Sequence, residues 1–355
     1  MSHPHLFAPF TIRGVAFRNR IGVSPMCQYS STEGFVNDWH LVHLGSRAVG
    51  GAGLVMTEAA AVDARGRISP SDLGIWDDQH VPGLQRVASF VRAQGATAGI
   101  QLAHAGRKAS TSPPWEGGAA VPPDRGGWQP AAPCTEPFDA RFPVPEALDR
   151  DGILELIAAF RRAAARAQAA GFQVIEIHAA HGYLLHEFLS PLTNHRTDEY
   201  GGSYDNRTRL LKRVCTAVRE VWPADHPLFV RVSSTDWAEG GWRADDTVAL
   251  AHHLSSVGVD LVDCSSGGIA PGIAVPSGPG DQVPFSQRIN DTTPMRTAAV
   301  GFITSPAQAD QIIRNEQADM VLLGREMLRD PYWPLRAARA LGHDVAWPNQ
   351  YLRAK

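Results

Sequence analysis

The sequence has few cysteines, and their spacing argues against a disulfide framework. None of the four occurs in a C-x-x-C pattern, and long stretches of chain separate Cys27, Cys134, Cys215 and Cys264. The N-terminus lacks the charged start and apolar core of a secretory signal. We therefore expect free thiols and a cytoplasmic location.

Long apolar runs and an excess of basic charge are also missing. No window approaches the roughly 20 uninterrupted apolar residues of a membrane span, so we expect no membrane partner. A formal charge of −3 leaves no basic surplus for a phosphate backbone, which argues against nucleic acid. No G-x-G-x-x-G motif stands between a strand and a helix with an acidic residue about 20 positions on, which excludes a Rossmann dinucleotide site.

What the sequence does contain is a repeat of short apolar segments, each followed by a loop and a helical pattern. Near-continuous apolarity is typical of strands buried on both faces, as in a parallel sheet covered by helices. The predicted strands cover residues 20–24, 53–57, 97–101, 174–178, 228–232, 260–263, 299–302 and 319–323. Eight β/α units predict an α/β protein with one closed (β/α)₈ TIM barrel, a single domain over residues 1–355. Its site should lie at the carboxyl ends of the strands.

Four of the intervening helices can be delimited. The clearest covers residues 153–170, is rich in alanine and is closed by Gly171. The others are predicted at 206–222, 245–257 and 305–315, the last with Ser305 as N-cap and Pro306 in its first turn.

The fourth strand delivers His178, His181 and Tyr183 to the predicted mouth of the barrel. Neutral imidazoles can donate to one carbonyl oxygen, and a tyrosine still holds its proton at neutral pH, which suggests reduction or isomerisation of a carbonyl compound. Two alternatives stay open. The histidines could bind a metal, which would require a third protein ligand, or they could be packed structural residues.

Other strand ends supply a predicted phosphate site and a flavin site. Gly301 and the pair Gly324-Arg325 follow strands seven and eight, where barrels commonly bind phosphate, although glycines in tight turns and a surface arginine would look the same. FMN suits this arrangement. Arg231 would stabilise negative charge on a reduced flavin, and Gln101 would donate to and accept from its pyrimidine edge.

At these residues the chain resembles the old yellow enzyme family, in its bacterial, thermophilic-like branch of ene-reductases. The resemblance covers nearly the whole length. Its motifs are Ser24-Pro25-Met26-Cys27-x-Tyr29, Gln101-Leu102-Ala103-His104-Ala105-Gly106-Arg107-Lys108, His178-Ala179-Ala180-His181-Gly182-Tyr183, Asn194-His195-Arg196-Thr197-Asp198-Glu199-Tyr200-Gly201-Gly202-Ser203 and Gly324-Arg325-Glu326.

The resemblance implies a tightly bound, non-covalent FMN, with NADPH or NADH as reductant and small activated alkenes as substrates. The residues expected to hold FMN are Ser24, Pro25, Met26, Cys27, Ala59, Gln101, Arg231, Gly301, Gly324 and Arg325. It further implies that nicotinamide and substrate take turns on one flavin face.

The same resemblance implies a division of roles in the site. His178 and His181 would hold the substrate oxygen while Tyr183 protonates the α-carbon. Tyr29 would contact the substrate. Cys27 would lie near the flavin and touch ligands, although a small buried hydrophobe is the alternative for this cysteine.

Two segments depart from the family pattern. Residues 111–145 hold nine of the 26 prolines, which predicts a stiff lid or capping segment over residues 111–148, with a plain surface excursion as the alternative. Near the C-terminus, Arg353 is a candidate to reach a neighbouring subunit's site in a homodimer or homotetramer, but Ala354-Lys355 follow where relatives often have an aromatic residue.

Two functions of other classes stay open as well. One is a metal-dependent barrel hydrolase that uses His178 and His181. The other is a flavin-binding barrel that has lost turnover and acts as a sensor.

Overall fold

The computed structural model describes residues 5–355; Met1 to Pro4, part of the N-terminal segment considered above, lie outside it. Its strands are β1 Phe10–Ile12, β2 Val15–Phe17, β3 Ile21–Val23, β4 Leu54–Ala61, β5 Thr97–Ala103, β6 Ala131–Ala132, β7 Glu146–Ala147, β8 Val174–Ala179, β9 Leu228–Ser233, β10 Leu261–Ser265, β11 Arg296–Ala299 and β12 Met320–Leu323. Its α-helices are α1 Asp38–Val49, α2 Val81–Ala93, α3 Arg150–Ala169, α4 Leu184–Leu189, α5 Tyr204–Arg219, α6 Ala244–Ser256, α7 Val283–Thr292, α8 Pro306–Arg314, α9 Arg325–Arg329 and α10 Trp333–Ala340.

Eight strands form one closed barrel, which confirms the predicted fold class. Around the barrel the order is β3, β4, β5, β8, β9, β10, β11 and β12, and β12 pairs back onto β3. Every pairing in this barrel is parallel. All eight carboxyl ends therefore open at one end, which we call the mouth.

The seventh predicted strand is wrong by three residues. The predicted strand covers residues 299–302, whereas β11 covers Arg296–Ala299. Gly301 and Phe302 have φ values of +114° and +44°, which a strand does not accommodate. The apolar run 299–302 thus includes a turn, and the true strand consists mostly of small residues, whose pattern is weak.

Helix ends follow the capping chemistry in the sequence. The Ser305 side chain accepts from the Gln308 N–H at the start of α8, with Pro306 in the first turn, as predicted. The other predicted helices differ from α3, α5 and α6 by one to three residues at each end. Helix α3 begins earlier than predicted because Asp149 is its N-cap. The Asp149 side chain accepts from the Gly152 N–H, 2.8 Å away.

Alternate residues along the strands face the two sides of the barrel wall. Val174, Phe229 and Leu261 belong to an inner apolar cluster that includes the β1–β2 hairpin, and we call these three the floor layer. Their neighbours Ile175 and Val230 pack in the outer core with the helices. Two positions further along each strand, toward the mouth, Glu176, Arg231 and Asp263 form what we call the mouth layer.

Within residues 5–355, none of the helices combines the length and the hydrophobicity that a membrane-spanning helix requires. The cysteines are free, as expected; two are buried and two are partly accessible.

Candidate active site

The barrel gathers most of the predicted site residues at the mouth. Seven of the eight strands contribute, either at their last residues or in the loops that follow. The residues are Ser24, Pro25, Met26, Cys27 and Tyr29 after β3, Ala59 in β4, Gln101 in β5, His178, His181 and Tyr183 in or after β8, Arg231 in β9, Gly301 after β11, and Gly324 and Arg325 after β12.

Arg231 is held in the mouth layer by two neighbouring side chains. Its Nε lies 3.1 Å from Asp263 Oδ2, and its guanidinium donates to Ser24 Oγ over 3.0 Å. Gln101 Nε2 donates to Glu176 Oε1 over 2.7 Å. Burial raises the pKa of Glu176 to about 8 even though Arg231 opposes the shift, so this carboxyl keeps its proton at neutral pH.

His178 is a neutral hydrogen-bond donor. Its Nδ1 accepts from the Ala180 N–H at 3.2 Å, which places the ring proton on Nε2. Burial, reinforced by the positive charge of Arg231, holds the pKa of His178 well below its usual value. The ring is perpendicular to that of His181, with centroids 5.1 Å apart.

His181 occupies a backbone conformation that is rare outside glycine, with φ +61°. Its N–H donates to Ser233 Oγ over 2.9 Å, and its carbonyl accepts from Lys108 Nζ over 2.7 Å. Lys108 also donates to the Gly268 carbonyl, and His181 Nε2 lies 2.6 Å from Ser265 Oγ. Four contacts thus hold this turn in place.

The predicted site residues do not include Ser233, Ser265 or Lys108. The two serines end β9 and β10, two residues beyond Arg231 and Asp263, so they lie on the same side of the barrel wall as the mouth layer. The period of two along these strands could have identified the two serines as site residues. No sequence pattern could have identified Lys108, because its partners are backbone carbonyls.

Tyr183 packs against the first of the two histidines. Its ring meets that of His178 edge to face, with centroids 5.0 Å apart. Burial, together with Cys27 and Tyr29 nearby, raises the pKa of Tyr183 well above its usual value. The phenol therefore keeps its proton at neutral pH and gives it only to a strong base.

Cys27 and Tyr29 lie together beside the site. Burial, with Asp72 and Glu58 nearby, raises the pKa of Cys27 well above its usual value, so the group is a thiol rather than a thiolate. The Tyr29 ring meets Trp115 edge to face at 5.6 Å.

The proline-rich segment 111–148 touches the mouth at two places. It contains two short 3-10 helices and the two-residue strands β6 and β7. Trp115 contacts Tyr29, and the Phe138 ring lies 4.3 Å from Lys108 Nζ. These contacts support the predicted lid, whose function stays a prediction.

Gly301, Gly324 and Arg325 line a cavity of about 170 Å³ between the ends of β11 and β12. Phe302 also lines it and packs on the arginine, with its ring centroid 4.3 Å from the guanidinium carbon. A cationic fork beside a cavity after strands seven and eight matches a phosphate site.

In the described part of the chain, no third side chain with a possible metal-ligand atom lies close to both histidines. Within residues 5–355, the group of three side chains with possible ligand atoms close together is His5, Asp310 and His343, which includes neither His178 nor His181. The mouth therefore does not offer the ligand set that zinc sites require.

Arg353 is exposed in a short C-terminal 3-10 helix, Asn349–Ala354. Its reach into a neighbouring subunit stays a prediction.

The chain is similar to known proteins in both sequence and structure. A family profile described as "NADH:flavin oxidoreductase / NADH oxidase family" matches residues 5–344. An NADPH dehydrogenase of Bacillus cytotoxicus is 48% identical over 351 residues, covering 98% of this chain and 96% of that protein. The structure of morphinone reductase superposes with a TM-score of 0.81 at 27% identity, over 98% of this chain and 92% of the other. An old yellow enzyme homologue from Zymomonas mobilis gives 0.80 at 26% identity, over 98% of both chains.

Proposed function

The chain belongs to the NADH:flavin oxidoreductase family of old yellow enzymes, and from this premise we propose that it is an FMN-dependent ene-reductase. It would reduce the C=C bond of α,β-unsaturated carbonyl or nitro compounds with NADPH or NADH as reductant. The observation that carries the proposal is the pair of neutral imidazoles at the mouth, with the Tyr183 phenol packed against one of them.

The residues of the mouth fit FMN. Arg325, with Gly301 and Gly324, would hold the phosphate at the cavity they line. Arg231 and Gln101 would meet the ring system, with the cation placed where a reduced flavin gains negative charge. When bound, FMN supplies hydride transfer from a nicotinamide to the β-carbon of the alkene.

His178 and His181 would bind the carbonyl or nitro oxygen of the substrate. Because both rings are neutral, they donate hydrogen bonds without carrying a charge into the site. These donors stabilise the negative charge that develops on the substrate oxygen more strongly than they stabilise the neutral carbonyl. This difference lowers the barrier.

Tyr183 would supply the proton to the α-carbon. Its raised pKa means that it does not acidify the site at rest, whereas the carbanionic carbon of an enolate is basic enough to take the proton. Tyr29 would contact the substrate, and the Cys27 thiol would lie near the flavin and touch ligands.

Two further proposals concern the surroundings of the site. The segment 111–148 would act as a lid that shapes substrate choice, since Trp115 and Phe138 reach mouth residues. The protein would assemble as a homodimer or homotetramer, with the exposed Arg353 reaching the neighbouring site.

The test is anaerobic reduction of the purified protein, followed by 2-cyclohexenone. We expect a yellow protein that NADPH or NADH bleaches and the enone restores. A colourless protein whose activity is lost with a chelator would point instead to a metal hydrolase. A yellow protein that the enone fails to reoxidise would be a flavin sensor.

A further inference from the structure

Ser265 lies behind His181, on the side of the ring away from His178. Its Oγ is 2.6 Å from His181 Nε2 and has that one side-chain hydrogen bond within residues 5–355. The serine is buried at the end of β10. A hydroxyl can donate or accept at this position, so it can complement either neutral form of the imidazole.

The choice between the two forms decides what His181 can do. His178 has its proton on Nε2, because its Nδ1 accepts from the Ala180 N–H. That Nε2 lies 3.4 Å from His181 Nδ1. If His181 carries its proton on Nε2, its Nδ1 accepts from His178, and one donor is consumed inside the pair.

If His181 carries its proton on Nδ1, two N–H groups face the same small volume. An oxygen placed about 2.9 Å from each nitrogen satisfies both. This arrangement needs a donor for the bare Nε2 on the other side of the ring, and the Ser265 hydroxyl is within hydrogen-bond distance of it.

We propose that Ser265 is a positioning residue that donates to His181 Nε2 and so holds the Nδ1–H form, in which both histidines donate to one ligand oxygen. The inference rests on the proposed function, since it concerns the same oxygen-binding pair. Ser265 acts through His181 and does not touch the substrate oxygen. The ring stays neutral throughout, and no net proton is gained or lost.

The test combines phenol binding to the FMN-loaded enzyme with nitrogen-15 NMR of labelled histidine. In the wild-type phenol complex we expect a proton on His181 Nδ1 and a bare Nε2. In Ser265→Ala without phenol, the proton should lie on Nε2, because His178 then donates to Nδ1. Phenol affinity should fall roughly 5- to 150-fold, as expected when a buried acceptor loses its donor.

Two further variants serve as comparisons. Ser265→Thr keeps the hydroxyl and should restore phenol affinity at least in part. Ser266→Ala removes the neighbouring hydroxyl, which has no hydrogen-bond partner in the described chain, and should match wild type in both readouts.

The outcomes distinguish the role of Ser265 from the proposed function of the enzyme. If phenol does not bind the wild-type enzyme, the proposed function is overturned. If phenol binds but His181 carries its proton on Nε2 in that complex, or if Ser265→Ala binds phenol within twofold of wild type, the assignment of Ser265 is overturned and the proposed function stands. The wild-type spectrum decides the point even if Ser265→Ala does not fold.

Discussion

The floor layer and the mouth layer come from the same strands two residues apart, yet they have opposite chemistry. Val174, Phe229 and Leu261 are apolar and almost fully buried. Glu176, Arg231 and Asp263 are buried as deeply but carry ionisable groups. Burying apolar side chains stabilises the fold, whereas burying ionisable groups costs free energy unless they are paired. We infer that the floor layer stabilises the barrel, whereas the mouth layer supplies ionisable side chains to the candidate active site.

The largest effect expected from a change at the mouth is on a single half-reaction. Tyr183→Phe removes the proposed acid and leaves the packing against His178, so flavin reduction by NAD(P)H and stability should stay near normal. Reoxidation by an enone should slow by roughly 10²- to 10⁴-fold. Stopped-flow measurement of each half-reaction tests this, and molecular oxygen is the control oxidant that should still react. Equal slowing of both half-reactions, or of neither, would remove Tyr183 from the role.

A change in the floor layer should show the reverse behaviour. Phe229→Ala leaves a cavity inside the barrel and should lower the free energy of unfolding by roughly 3–5 kcal/mol. Urea unfolding measures the loss, and Phe229→Leu should lose less. The folded fraction should bind FMN and reduce enones at the wild-type rate. A floor variant that keeps its stability but loses turnover would break the distinction between the layers.

Arg325 tests whether the charges around the mouth serve binding. Arg325→Ala removes a charged fork from the proposed phosphate site and should weaken FMN binding by roughly 10- to 150-fold. Titration of apoprotein with FMN, followed by flavin fluorescence, measures the change. Arg325→Lys keeps the charge but loses the fork, so it should recover only part of the affinity. Undiminished affinity in the alanine variant would place the phosphate elsewhere.

The smallest effect concerns the pH dependence of stability. The pKa of Glu176 is raised from about 4.5 to about 8. The contribution of its proton to the free energy of unfolding is therefore fully present below about pH 4.5 and is lost as the pH rises through about 8. One such group contributes a slope of at most about 1.4 kcal/mol per pH unit. Glu176→Gln should therefore make unfolding free energy depend less on pH between 6 and 8. An unchanged slope would mean that Glu176 is ionised in the folded protein.

The fold was easiest to predict where strands are deeply buried and their apolar runs are continuous. Strands β8 and β9 were predicted within one residue because their apolar runs are continuous and rich in β-branched residues. The family assignment is confirmed, and it rested on motifs at strand ends where the barrel needs particular side chains. In β11 the small residues Thr297 and Ala298 carry little hydrophobic signal, and the prediction moved to the apolar turn beyond them.

Contacts between distant segments were the part that sequence reasoning missed. Ser265 lies 84 positions from His181, and Lys108 lies 73 positions from the carbonyl that it holds. A serine or lysine has no intrinsic preference that reveals such a partner. The β1–β2 hairpin, which packs with the floor layer, was also missed because its three-residue strands are too short for a clear periodicity.

Closure of the barrel joins the beginning of the chain to its end. β3 pairs with β12, and Arg20 donates to the carbonyl of Asp319, 299 positions away. Forming such a contact costs loop-closure entropy, because a long stretch of chain has to be closed into a loop, and this cost slows folding. During synthesis the free edge of β3 has to wait for almost the whole chain before its partner emerges. A chain truncated before β12 would keep that edge unpaired, as a template for aggregation.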